Sequence, residues 1–184
     1  MNGCDDALLA IASLSRAIGG RAQLPDVGTL VWSLIRQLVP CDAMALFLPD
    51  ESHDHVVVRF AAGTHAQALA GVTRPTATGI AGWVAVNRKS VLNGEPVLDL
   101  GFRATGSPAL RSSVVVPLIE SDAVIAILSL YSKDLLAFTD EHVRMLELLG
   151  PSLATSFLDA VIADEDALFP VQRKLASLKL VRSS

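Results

Sequence analysis

Residues 111–119 and 123–132 are two long apolar runs joined by Glu120-Ser121-Asp122, and they restrict the fold more than any other stretch. Runs of that length, rich in β-branched residues and separated by a short polar turn, read as consecutive antiparallel strands. In the second run Val124, Ala126, Leu128 and Leu130 fall on one face, and Ile125, Ile127, Ser129 and Tyr131 on the other. Both faces are mostly apolar, so both need a cover. The small Ala126 suits close packing under helices. Two polar groups, Ser129 and Tyr131, on an otherwise apolar face have the composition of a small-ligand site.

The rest of the chain supplies elements around this hairpin. Apolar residues at helical spacing predict helices over residues 5–18 and 25–39, the first stopped by Gly19-Gly20 and the second by Pro40. Residues 42–48 and 55–62 form a first hairpin around Pro49-Asp50-Glu51-Ser52. A short helix is expected at 65–69, an extended piece at 72–76, a helix at 79–87 capped by Thr78, and a brief strand at 90–92. Residues 93–110 hold three glycines and two prolines and read as a surface loop with a turn of helix. Thr139 caps a long helix to about residue 163, with Gly150-Pro151 predicting a kink. Hairpins at both ends of the strand list argue for an α+β fold with an antiparallel sheet.

With 184 residues, 51% of them hydrophobic, the chain can bury one sizeable core. A net charge of −4 and no dense Lys/Arg cluster argue against a nucleic-acid partner. No apolar run reaches the roughly 18–20 residues of a membrane span, and no signal peptide is legible. Cys4 and Cys41 form neither a CxxC nor a Cys/His spacing. A reduced, cytoplasmic protein is therefore expected. Residues 1–163 read as one domain. Residues 164–184 read as a tail, or a linker to an output element, with Val171, Leu175, Leu178 and Val181 at helical spacing.

Several motifs carry a family resemblance. Gly79-Ile80-Ala81-Gly82-Trp83-Val84-Ala85, Asp99, Leu110-Arg111-Ser112 leading into Val116-Pro117-Leu118, the 124–131 strand and Ala137-Phe138-Thr139-Asp140-Glu141-His142 together resemble a GAF domain, a small-molecule sensor module of signalling proteins. The resemblance spans roughly residues 5–163. It implies a central six-stranded antiparallel sheet, N- and C-terminal helices on one face, and a ligand pocket under loops on the other. By strand alternation and the matching motifs, Phe47, Thr78, Trp83, Asp99, Arg111, Ser113, Ser129 and Tyr131 are expected to border that pocket. Convergence of Asp99, Arg111, Ser129 and Tyr131 would favour sensing. Filling by Phe47, Trp83 and Phe102 would favour a vestigial pocket in a ligand-free dimerisation spacer.

Catalysis is not expected. Ser112 and Ser113 lack a nucleophile elbow, and Gly79-x-x-Gly82 lacks the lysine of a phosphate loop. The signature of cyclic-nucleotide-binding relatives is missing as a set. No cysteine stands where bilin-binding or methionine-sulfoxide-reducing relatives have theirs. His53 and His55 read as solvated loop residues, and His65 is the one candidate for a haem or metal sensor. The cofactor, the ligand and any output domain are not specified by the sequence. The helix at 139–163 carries apolar residues on several sides: Val143, Leu146, Leu149, Leu153, Phe157 and Val161, widened by Met145, Leu148, Leu158 and Ile162. A homodimer through the terminal helices is therefore expected.

Overall fold

The computed structural model describes residues 23–50 and 52–163. The predicted helix at 5–18, Cys4 and the tail at 164–184 lie outside the described residues. Helix α1 (Leu24–Leu38) starts with Pro25 in its first turn and turns Leu24, Val27, Val31 and Ile35 inward. Strands β1 (Ala43–Pro49) and β2 (His55–Gly63) make the first hairpin. A one-turn helix α2 (Ala66–Leu69), edge strand β3 (Thr73–Pro75), helix α3 (Ile80–Asn87) and strand β4 (Val91–Gly94) follow. The second hairpin is β5 (Ser112–Glu120) and β6 (Ala123–Ser132), and α5 (Asp140–Ala163) comes last among the described elements. Between β4 and β5 the irregular region is more ordered than its glycines and prolines suggest. It contains α4 (Val97–Leu100) and a 3-10 turn (Gly101–Thr105).

The sheet is six-stranded and antiparallel, in the order β3-β2-β1-β6-β5-β4. Its centre is the β1–β6 pair, in which Ala43 faces Tyr131 and Ala45 faces Ser129. Two separate cores result. One face packs Met44, Leu46, Leu48, Val116, Leu128 and Leu130 against α1 and α5. The other packs Ala43, Ala45, Phe47, Val115, Ile127 and Tyr131 against α2, α3 and residues 100–110.

Strict alternation fails at one place on β6. Leu118 pairs with Ala126 but Ile119 pairs with Val124, so β6 carries an extra residue at a bulge. Ile125 consequently joins Ala126 in the helix-side core, while Val124 packs with the opposite one. Below the bulge, from Ile127 onward, the predicted phase holds.

Helix α5 continues unbroken through Gly150 and Pro151. Its start is a reciprocal cap: Thr139 Oγ1 accepts the His142 N–H at 3.4 Å, and His142 Nδ1 accepts the Thr139 N–H at 3.2 Å. By length and composition α5 could cross a membrane, but its sheet-facing side is built into the core.

Candidate functional site

On the sheet face away from α1 and α5, three buried side-chain oxygens have no hydrogen-bond partner: Asp99 Oδ2, Ser129 Oγ and Tyr131 Oη. Ser129 and Tyr131 are two residues apart on β6 and so point the same way. Their strand neighbours Ala43 and Ala45 are small and leave the space above β1 to them. Asp99 arrives from α4 in the segment 95–110, which straps across this face. The Tyr131 phenol is held well above its usual range, first by burial and then by the nearby Asp99 charge, with the adjacent Ser129 hydroxyl and Arg74 pulling the other way; the two hydroxyls are close neighbours although no hydrogen bond of good geometry joins them. It is therefore a neutral hydroxyl.

Asp99 also fastens the strap. Its Oδ1 accepts the N–H groups of Ile80 and Ala81 at 2.7 and 2.9 Å, which are orphan donors at the start of α3. Thr78 does not cap this helix. Gly79 occupies the cap position, and the Thr78 hydroxyl lies 3.4 Å from the Pro75 carbonyl. The reason is steric: Gly79 has φ +83, and a Cβ there would stand 2.7 Å from Asp99 Oδ1. Only a residue without a side chain admits the distant carboxylate. A second clasp comes from Arg74 on β3, whose Nε donates to the Asp99 main-chain carbonyl. At the far end of the strap His65 Nε2 lies 2.8 Å from the Pro108 carbonyl, so this histidine ties loops together.

Burial raises the Asp99 pKa, opposed by the two N–H bonds and by Arg74. The three orphaned atoms adjoin no water-sized space, so the site is closed. Each unsatisfied buried hydroxyl costs about 1–3 kcal/mol, and a carboxylate oxygen more. Against a total stability of roughly 5–15 kcal/mol, that is a substantial fraction of what holds a domain together.

The sequence-predicted residues divide into two groups. Phe47, Asp99, Ser113, Ser129 and Tyr131 are all buried. Phe47 and Tyr131 share the core on this face, and Ser113 pairs with Tyr131 across β5–β6 while its hydroxyl donates to the Gly94 carbonyl. Thr78 and Arg111 are exposed, and Trp83 is 45% exposed. Phe102 is 77% exposed, so neither it nor Trp83 fills the site. Arg74 escaped the sequence reading. A separate open cleft of about 370 Å³ lies at the hairpin end of the sheet, bordered by the Arg88–Asp122 ion pair, and includes none of the eight. Cys41 packs with the helix-side core, and burial together with Asp42 pushes its thiol up to about 12. Among the described residues no group of histidine, cysteine and acidic side chains could hold a metal ion.

A sequence profile of the GAF domain family matches residues 22–157, most of the chain. The chain belongs to the GAF domain family. Solved structures agree on the fold. This GAF domain is similar to that of an Acinetobacter phosphoenolpyruvate-protein phosphotransferase, with 16% identity, TM-score 0.70, and coverage of 90% of this chain and 99% of that one. The corresponding domain from Coxiella burnetii gives 19% identity, TM-score 0.68, and coverage of 91% and 100%. A free methionine-R-sulfoxide reductase from Neisseria meningitidis, in complex with its substrate, gives 21%, 0.66, and 87% and 91%. GAF-fold neighbours thus include an enzyme. No curated protein matches this GAF domain.

Proposed function

We propose that this GAF domain is a cytoplasmic sensor that admits a small polar molecule beneath the 95–110 strap, where it meets Asp99, Ser129 and Tyr131. The observation that carries the reading is the convergence of three unsatisfied buried oxygens from two distant segments, since native proteins rarely leave such groups unpaired. Because the site is closed, binding requires the strap to lift. The released groups then pair with the ligand. Ser129 and Tyr131 alternate along β6 with Leu128 and Leu130, which belong to the core shared with α5. A shift of β6 is therefore felt directly at α5, and a homodimer through the terminal helices would pass it on. Catalysis by the Cys41 thiol is disfavoured, because Cys41 sits with the opposite core and its thiol is held protonated.

The test needs no knowledge of the ligand. Ser129→Ala and Tyr131→Phe each delete an orphaned hydroxyl and little else. If these groups await a ligand, each variant melts higher than the wild type, by the equivalent of about 1–3 kcal/mol. A lower melting temperature in both variants would mean that the hydroxyls serve the fold, and the sensor reading would be lost. The ligand-free spacer is the second reading. The closed state of the site favours it, and it expects native mass spectrometry and ligand screens to find no binder.

A further inference from the structure

The open cleft at the hairpin end of the sheet takes no part in the strap site. It lies where the two central strands separate. β1 and β6 pair from Ala43 and Tyr131 to Phe47 and Ile127, yet β1 runs on to Pro49 and β6 begins at Ala123. Pro49, Ala123 and Val124 line the cleft from these strands, and Ala85 and Val86 from the last turn of α3. Val86 is 66% exposed, so an apolar wall stands open to water. The surround is acidic on balance: Asp50, Asp54, Glu120 and Asp122 lie in or beside the two hairpin turns, against Arg88 and Lys89. Arg88 is moreover committed to Asp122, through Nη1 to the carboxylate at 2.7 Å and through Nη2 to the carbonyl at 2.8 Å.

Helix α5 delivers the chain to the same end. Ser90 Oγ donates to Glu147 Oε1 at 2.7 Å, and Thr155 Oγ1 to Glu120 Oε2 at 3.0 Å, so α5 runs along the sheet toward the β5–β6 turn. It continues to Ala163, about 12 Å farther on. The sequence that follows complements the cleft. Beyond Asp166 it carries Arg173, Lys174, Lys179 and Arg182 and no acidic residue, and Val171, Leu175 and Leu178 recur at helical spacing. Residues 164–170 span up to about 24 Å when extended, whereas packed layers lie about 10 Å apart. We propose that the cleft is the docking surface for this chain's own residues 171–182, with Val171, Leu175 and Leu178 set against its apolar wall and the four cations against the acidic turns. The contact is independent of what the strap site binds. It holds the tail against α3 and β6, the elements that also carry the amides gripped by Asp99 and the Ser129 and Tyr131 hydroxyls.

The experiment is hydrogen exchange of the full chain read by mass spectrometry, at low salt and at several protein concentrations. Docking should slow exchange of the 171–182 amides roughly tenfold or more relative to the double variant Leu175→Asp with Leu178→Asp. The deciding variant is Val86→Asp, which lies outside the tail at an exposed position where the fold tolerates a charge. It should release the tail to the same degree, with an unchanged far-UV circular dichroism spectrum. In the other direction, the double variant in the tail should speed exchange at the end of α3. Equal tail exchange in the wild type and both variants overturns the proposal, as does tail protection that Val86→Asp leaves intact. Protection that rises with protein concentration overturns it too, and assigns the cleft to the tail of a second copy.

Discussion

Asp99 combines two duties, one per oxygen, and they respond differently to pH. Its folded-state pKa is raised above the ordinary 3.8 by burial. Below that value the carboxyl is protonated in folded and unfolded chains alike. As pH rises the unfolded chain ionises first, so the folded state loses stability across the window from 3.8 up to the native value, and the loss persists at neutral pH. Asp99→Asn removes the charge but keeps the Oδ1 acceptor. Its stability relative to wild type should therefore be more favourable at pH 7 than at pH 3.5, as read from thermal unfolding followed by circular dichroism. A difference that does not vary with pH would mean that the Asp99 pKa is the same in the folded and unfolded chains. Asp42 works in the opposite sense: burial raises its pKa, but the Lys133 N–H and ammonium and the Ser132 hydroxyl outweigh that. Its contribution is present above 3.8 and is lost in acid. Asp99 itself was legible in the sequence, as a family position in an irregular stretch. Its partners were not. Nothing in local spacing ties Arg74 or the Ile80 and Ala81 amides to residue 99, and Thr78 offered a nearer cap that the backbone at Gly79 declines.

The β6 strand shows where period-two reasoning holds and where it stops. Ser129 and Tyr131 lie on the face that alternation assigns them because the register from Ile127 to Ser132 is regular. One extra residue near Ala126 resets the phase above it, and apolar residues on both faces hide such a slip from composition. Helix α5 shows a different limit. Its broad apolar surface suggested an exposed dimer face, yet Leu146, Leu149, Leu153, Phe157, Leu158 and Val161 are all buried within the chain. Leu148, 60% exposed, is the large hydrophobic residue that α5 leaves at the surface. The two kinds of position give separable outcomes. Leu149→Glu or Leu153→Glu places a charge in the core and should cost more than about 3 kcal/mol, seen as a collapse of the denaturation midpoint. Leu148→Glu should change stability by no more than about 0.5 kcal/mol. If α5 forms the homodimer contact, light scattering should nonetheless show this variant shifted toward monomer. Unchanged mass in Leu148→Glu would move the dimer contact off this part of α5.

At the scale of the molecule, the fold class was readable because each hairpin is signalled locally, by apolar runs around a polar turn, whereas the count of six strands came from the family resemblance. The two-core arrangement follows from one topological fact, the pairing of the first strand with the last. Ala43 and Tyr131 are neighbours across β1–β6 although more than half of the described chain separates them. Closing such a loop costs entropy before its contacts form, and folds dominated by distant pairings form slowly. Single-mixing refolding followed by fluorescence should therefore report a slow main phase. Weakening the junction with Ala45→Gly should slow it further, whereas a local defect such as Gln37→Gly in α1 should mainly speed unfolding. That junction is also where Ser129 and Tyr131 stand. Asp99, Ser129 and Tyr131 all lie in the second half of the polypeptide, but the strand beside them comes from the first, so a severed or half-made chain cannot complete the face on which they stand.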